Sequence, residues 1–251
     1  MIRNLCTVGI IYVLITTGCQ RLKSGTLILV TKDNNQITIA SDTRANHIND
    51  NSALLDGHHD DELKLVMVGK QIIGIAGLHD YQSFNVNELI KNKLRPDNTI
   101  LQNANILQKA LDNSYENFVY QFGVSKLMPM EKYLSTRVII AGFDRGEPKI
   151  YESAVWIGFT FEVKDQASVH IQGYGPELKI GNGPFPIGKS SNIESELNKN
   201  KKRGKITPIK NLISLIRKQA SKDITVDSAV NVIIINREGQ IMQQHFSKKQ
   251  Y

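Results

Sequence analysis

Apolar residues come in short, dense runs along the first third of the chain. TLILV (26–30) and ITIAS (37–41) read as two strands joined by the polar turn KDNNQ. LKLVMV (63–68) and IIGIAG (72–77) form a second hairpin across GKQ. These strands are apolar almost throughout rather than alternating, which predicts a sheet covered on both faces. Between the hairpins, HINDNSALLDGHHDDE reads as a polar loop. The period then changes. Residues 80–94 place Phe84, Leu89, Ile90 and Leu94 at helical spacings, with Pro96 as the stop. Over 101–122 a stripe of Leu101, Ala104, Leu107, Leu111, Tyr115, Phe118 and Phe122 predicts an amphipathic helix. Strand patterns return at 137–143, 149–155 and 168–174, followed by GNGPFPIG as a glycine- and proline-rich loop. A further helix is predicted from Thr207 as N-cap, with Pro208 at its first position and Ile209, Leu212, Ile213 and Ile216 buried. AVNVIIIN (229–236) and QIMQQHF (240–246) close the chain as a hairpin.

Strands and helices thus come in blocks, so βαβ crossovers are not the organising unit. Two mainly antiparallel sheets with helices on their outer faces would bury every stripe in one domain. The 251 residues, 41% of them hydrophobic, are enough for such a core. The net charge of +7 favours solubility and an acidic partner. Its densest source, NKNKKRGK before the last helix, reads as a solvated basic loop. No stacking aromatics interleave with it, so nucleic acid is not the expected partner.

The N-terminus stands apart from this pattern. Arg3 precedes the apolar run LCTVGIIYVLITTGC, which is short for a bilayer span and fits a secretory signal over residues 1–18. ITTGCQ resembles a bacterial lipoprotein signal, with Cys19 as the residue lipidated and Thr16 where Leu is usual. Two outcomes stay open: membrane attachment through Cys19, or a leader without lipid. The expected location is extracytoplasmic, secreted or anchored, and cytoplasmic if the run is not a signal. The other cysteine, Cys6, lies inside the leader, so a mature chain has no internal disulfide. Residues 19–25 then form a short propeptide or tether, and 26–251 the domain.

The Gly25–Thr26 bond is where chemistry enters. A threonine hydroxyl is a poor nucleophile and needs a base. Cutting that bond makes Thr26 a free N-terminus whose α-amine, with an ordinary pKa of about 7.7–8.0, accepts a proton near neutrality. A nearby lysine lowers the pKa of the hydroxyl, and a carboxylate orients that lysine. The set required is an N-terminal Thr, an Asp and a Lys on adjacent strands. With the bond intact, Thr26 is the first residue of a strand.

GTLILV, SDTR, KLVMV, GIAGLHD and KDITVDSAVNVIIINREGQI together resemble the β subunits of the proteasome and their bacterial relatives, among the N-terminal nucleophile hydrolases. The family has Gly-Thr at its processing point, an Asp sixteen residues after that Thr, and an Arg two further on. Asp42 and Arg44 match at that spacing from Thr26. Lys64 matches the family lysine, six residues later than usual because the loop containing HHDDE is expanded. Gly77 matches the glycine whose N–H helps form the oxyanion hole, and Asp223 the aspartate of the closing segment. VYQF followed by RVIIAGFDRGEPKIYE is similar to the mid-chain strands, so the likeness runs over about residues 25–246.

The resemblance implies an α+β fold, a four-layer αββα sandwich, with Thr26 as nucleophile, its amine as base, Lys64 as activator, Asp42 as its partner and Gly77 as oxyanion donor. It implies hydrolysis of amide bonds, on a peptide or protein, through an acyl-enzyme ester, with no cofactor or metal, in a homo-oligomeric ring. Two serines of the family pattern are replaced: one by Val226, and another, if GNGP (181–184) is its equivalent, by Pro184. A one-residue gap in the first hairpin would instead make the chain a non-catalytic subunit. A lipid-anchored binding protein on the same fold is a third possibility. Asp42 and Lys64 also read as a structural ion pair, Gly77 as a strand-end glycine and His79 as a helix-start residue. His58, His59, Asp60 and Asp61 read as a solvated loop rather than a metal site.

Overall fold

A computed structural model describes residues 21–25, 27–49, 54–60, 62–161, 167–202 and 208–248. The strands of its first third are β1 (Arg21–Gly25), β2 (Leu27–Lys32), β3 (Gln36–Asp42), β4 (Ala45–Asn49), β5 (Leu55–His59), β6 (Leu65–Val68), β7 (Gln71–Tyr81) and β8 (Phe84–Asn85). Helices α1 (Val86–Lys93), α2 (Ile100–Phe122) and the short α3 (Val124–Leu127) follow. Next come β9 (Ser135–Asp144), β10 (Glu147–Phe161), β11 (Ala167–Leu178) and β12 (Phe185–Gly188). The chain continues through α4 (Glu194–Lys202) and α5 (Ile209–Ala220) to β13 (Val230–Asn236) and β14 (Ile241–Phe246).

The fold is α+β with antiparallel pairing. One sheet has the order β11-β10-β9-β7-β1-β4-β5, with β6 and β8 also paired to β7; the other has the order β12-β2-β3-β13-β14. The dense apolar strands are explained by which neighbours meet each side. Ile73 and Ile75 of β7 join the core beneath α1 and α2, while Ile72 and Ala76 join a core shared with Ile28, Val30, Ile37 and Ile39 of the second sheet. On β2 the alternation continues, since Leu27 and Leu29 pack with Leu212 and Ile216 of α5. Side chains alternate across a strand, so a strand with both faces covered must be apolar at every position. Each such side chain contributes about 1.5–3 kcal/mol of burial.

The helices form where their stripes predict and start at recognisable caps. Thr99 and Gln102 make a capping box for α2, whose Leu107, Leu111, Tyr115 and Phe118 face the core. Asn85 accepts a hydrogen bond from the Glu88 N–H and starts α1. That helix is shorter than the 80–94 expected, because β7 runs on to Tyr81 and pairs with β8. Helix α5 begins at Ile209 with Pro208 as its N-cap, one position later than predicted; Thr207 lies outside the described residues.

Three further expectations are corrected, at the polar loop, at GNGPFPIG and at the basic run. The polar loop after the first hairpin contains β4 and β5, which pair with each other through Ala45–His59 and Asn46–His58. Backbone pairing holds these strands where hydropathy gives no signal. Half of GNGPFPIG is strand β12, whose Phe185 and Gly188 lie opposite Val30 and Leu27. The basic run before α5 is helical through Lys202, as the end of α4. Residues 21–25, read as a propeptide or tether, form β1 in the interior of the larger sheet, between β4 and β7. The leader, Cys19 and Thr26 lie outside the described residues.

Candidate active site

The site is built where the chain leaves one sheet for the other. Gly25 pairs with Gly77 in the larger sheet, and Leu27, two positions on, pairs with Gly188 in the smaller. The last residue of β3, Asp42, reaches this crossing. Its Oδ1 accepts hydrogen bonds from the Leu27 N–H at 2.9 Å and from Lys64 Nζ at 2.6 Å. Its Oδ2 accepts from the backbone N–H groups of Asp227 at 3.2 Å and Arg44 at 3.3 Å. Four donors on one carboxylate fix its orientation.

Lys64 is buried against local hydropathy. Leu63 before it is 68% exposed, whereas Lys64 is 2% exposed. Lys64 lies just before β6, and its carbonyl accepts a hydrogen bond from the Ile75 N–H at 2.9 Å, which carries the β6–β7 pairing one residue further. The stem packs closely against residue 25: a Cβ on Gly25 would sit 3.1 Å from Lys64 Cε and 3.4 Å from its Cδ. Burial lowers the pKa of the Lys64 ammonium, and the charge and hydrogen bond of Asp42 oppose that fall. The result is an amine less basic than an exposed lysine, held by one carboxylate.

Gly77 must be glycine on two counts. Its φ is +85°, and a Cβ there would come 2.0 Å from the Ser135 carbonyl oxygen. The residue lies directly across the ladder from Gly25. Its neighbour His79 is a buried residue of β7, not a helix start, with Nδ1 3.1 Å from the Gly77 carbonyl oxygen and Nε2 3.7 Å from Glu62. The nearby His79, opposed by burial, lowers the pKa of Glu62.

Asp223 is set apart from the pair. It accepts from the Thr225 N–H at 2.9 Å and hydroxyl at 2.5 Å, shaping the turn that precedes β13. Burial opposes its ionisation, but these two bonds prevail and its pKa is lowered. Thr225 in turn accepts a hydrogen bond from Asn46 through its carbonyl at 3.1 Å. Thr225, Asn46, Gly25, Gly77, Ser135 and Lys189 all border a cavity of about 500 Å³. Asp223 therefore shapes the wall of that cavity without touching Asp42 or Lys64 among the described residues.

The position assigned to Pro184 is corrected. Residues 181–184 lie at the far end of β2, where the Asn182 carbonyl accepts from the Lys32 N–H at 3.0 Å. The loop beside Leu27 begins at Gly188 and Lys189 instead. Val226 is a core residue, packed with Leu27 and Leu29. The sequence reading also missed Asp227, which is 2% exposed, accepts from the Thr43 hydroxyl at 2.6 Å and donates its N–H to Asp42. An acidic residue between Val226 and Ala229, just before the closing strand, was the available signal.

Around this core, Arg44 ties the neighbouring segments together. It donates to Asp60 at 2.9 Å and to the Ile224 carbonyl at 2.5 Å, and lies 3.8 Å from Asp227. Lys248 also binds Asp60. Asp60 thus belongs to a cationic network rather than to a metal set; among the described residues no group of three or more His, Cys, Asp or Glu could hold a metal ion. Asp61 lies outside the described residues.

Two outcomes follow from these contacts. Lys64→Ala leaves a carboxylate buried without its cation and is expected to cost about 3–5 kcal/mol in urea unfolding. Combining Asp42→Asn with Lys64→Met should cost less than the sum of the two single changes, because the pair acts as a unit; additive costs would show that it does not. Burial raises the pKa of Asp60, but Arg44 and Lys248 outweigh it and bring it from 3.8 to about 2. The unfolded chain therefore binds this proton first as pH falls. Stability contributed by Asp60 is full above pH 3.8 and is lost on descent towards about 2. Asp60→Asn should flatten the acid limb of a stability–pH profile.

Neither a protein-family model nor any curated protein matches the chain, so the reading of the site rests on its own geometry and chemistry.

Proposed function

We propose that this chain is a threonine-type N-terminal nucleophile hydrolase that exposes Thr26 by cutting the Gly25–Thr26 bond itself. The observation that carries this reading is the double contact of Asp42, with the Leu27 N–H at 2.9 Å on one side and Lys64 Nζ at 2.6 Å on the other. A buried lysine and its carboxylate thus adjoin both neighbours of Thr26. The proposed fold is the four-layer αββα sandwich; in support, separate cores lie beneath α1 and α2, between strands of the two sheets, and beneath α5.

In the processing step the Thr26 hydroxyl adds to the Gly25 carbonyl carbon, and the C–N bond breaks as the amine takes a proton. The acyl group is then an ester on Thr26. Water hydrolyses it, releasing a carboxylate that ends at Gly25 and restoring the Thr26 hydroxyl beside its free α-amine. In later turnovers that amine takes the hydroxyl proton, and Lys64 stabilises the negative charge on oxygen. The Gly77 N–H serves the oxyanion, a contribution of about 10²–10³ in rate for one such donor. Asp42 orients Lys64, and Asp223 fixes the turn at the cavity wall. The substrate is a peptide or protein, cut at an amide bond.

Intact-mass analysis of the full chain and of Thr26→Ala tests this. The wild type should begin at Thr26, and the variant should retain residues before it, including any lipid on Cys19. A wild type that keeps residues 19–25, as the variant does, would leave Thr26 an ordinary strand residue. That outcome would favour a non-catalytic subunit, or a lipid-anchored binding protein, with β1 as a permanent part of the sheet. Its central position between β4 and β7 is the feature that supports such a reading. We further propose a homo-oligomeric ring, in keeping with the resemblance. Light scattering should give a mass several times that of one chain at micromolar concentration, and a monomer there would contradict it.

A further inference from the structure

The strand preceding the proposed cleavage point carries information about what the site accepts. β1 lies between two partners, pairing Gly25 with Gly77 and Lys23 with Asp80 on β7, and Ser24 with Asn46 and Lys23 with His47 on β4. If residues up to Gly25 leave after cleavage, the slot between β4 and β7 opens, with unpaired backbone groups on both sides. An extended peptide can replace β1 there by the same ladder.

Two positions in the slot discriminate by side chain. At the position of Gly25 the limit is steric. A Cβ would sit 3.1 Å from Lys64 Cε and 3.6 Å from the Ile75 carbonyl oxygen. Lys64 cannot swing away cheaply, because its buried ammonium is held by Asp42 at 2.6 Å. Alanine presses on the lysine stem, and a larger side chain adds to that contact. Two residues earlier the limit is electrostatic. Lys23 Nζ lies 2.9 Å from the Asp80 carboxylate. The Asp80 hydrogen bond, opposed by burial, raises the pKa of Lys23, and the charge of Glu62 adds to that rise. An acidic side chain at this position would face both carboxylates.

We propose that the slot selects an extended peptide with glycine as the residue whose carbonyl is attacked and a basic residue two positions before it, β1 being the chain's own copy of that sequence. The proposal rests on the hydrolase reading above, and the test separates the two. The probes are blocked peptides ending in an aminocoumarin amide: Leu-Lys-Ser-Gly, Leu-Glu-Ser-Gly and Leu-Lys-Ser-Leu. With wild-type protein that begins at Thr26, the first should be cleaved about tenfold or more faster, as kcat/KM, than either of the others. Asp80→Asn should shrink the Lys-to-Glu ratio while leaving the Gly-to-Leu ratio unchanged. Equal rates, or faster cleavage after leucine by a protein with a free Thr26, would overturn the selectivity and leave the hydrolase reading standing.

A second measurement needs no turnover. In the full chain carrying Thr26→Ala, hydrogen exchange reports how firmly residues 21–25 are seated. Lys23→Glu should speed their exchange by about tenfold, and adding Asp80→Lys should restore protection. Exchange indifferent to both changes would overturn the role of Asp80 in recognition. Protection that follows the charges, in a wild type that never exposes Thr26, would retire the hydrolase reading while preserving the slot's preference for a basic residue.

Discussion

The contact between Lys64 and Asp42 is the constraint around which the rest of the site is arranged. Removing two opposite charges from water costs several kcal/mol per ion, and only close geometry with further hydrogen bonds offsets that cost. The protein meets this requirement with backbone: the N–H groups of Leu27, Arg44 and Asp227 all point at Asp42. Three separate segments, the start of β2, the end of β3 and the turn before β13, are therefore fixed against one another by a single carboxylate. The lysine adds a fourth, the segment before β6. Such a pair also bears on the residue choice around it, since the Lys64 stem packs closely against position 25.

That coupling links stability to the proposed chemistry. A group that stabilises a developing alkoxide must be charged, close and already oriented before the reaction begins. Burial lowers the pKa of Lys64, and Asp42 limits the fall. The same contacts that keep the sheets in register keep the amine aimed at the crossing between Gly25 and Leu27. Gly77, opposite Gly25, is held by a different means: its backbone conformation and the Ser135 carbonyl leave no room for any side chain. Two glycines facing each other across a ladder bring two backbones and one lysine stem to the same place.

Strand β1 has a second consequence. A chain segment that fills the interior of a sheet completes the ladder and protects strand edges that would otherwise be open. Its hydrogen bonds to β4 and β7 favour retention, whereas cleavage after Gly25 would make the same segment exchangeable. The Asp80–Lys23 pair lies at a partly exposed position, where ion pairs contribute little to overall stability but can still discriminate between opposite charges.

Much of the scaffold was legible in the sequence because it is written in periodicity. The strands of the first and last hairpins and the long helix α2 follow from apolar patterning, which depends on local chain geometry, whereas the partnership of Asp42 with Lys64 was implied by the resemblance to the proteasome β family. The parts that were not legible share a different physical cause. β1, β4, β5 and β12 are strands because partners present backbone donors and acceptors to them, and residues such as Lys23, His58 and Pro186 carry no hydrophobic signal of that pairing. Asp227 and His79 are buried by segments far away in the chain, and Gly188 comes beside Leu27 only through the sheet register that moves Pro184 to the other end. Sequence alone determined which residues could form a core and which were candidates for chemistry. Tertiary structure decided which backbones met, because long-range hydrogen bonds and excluded volume exist only after the chain has closed on itself.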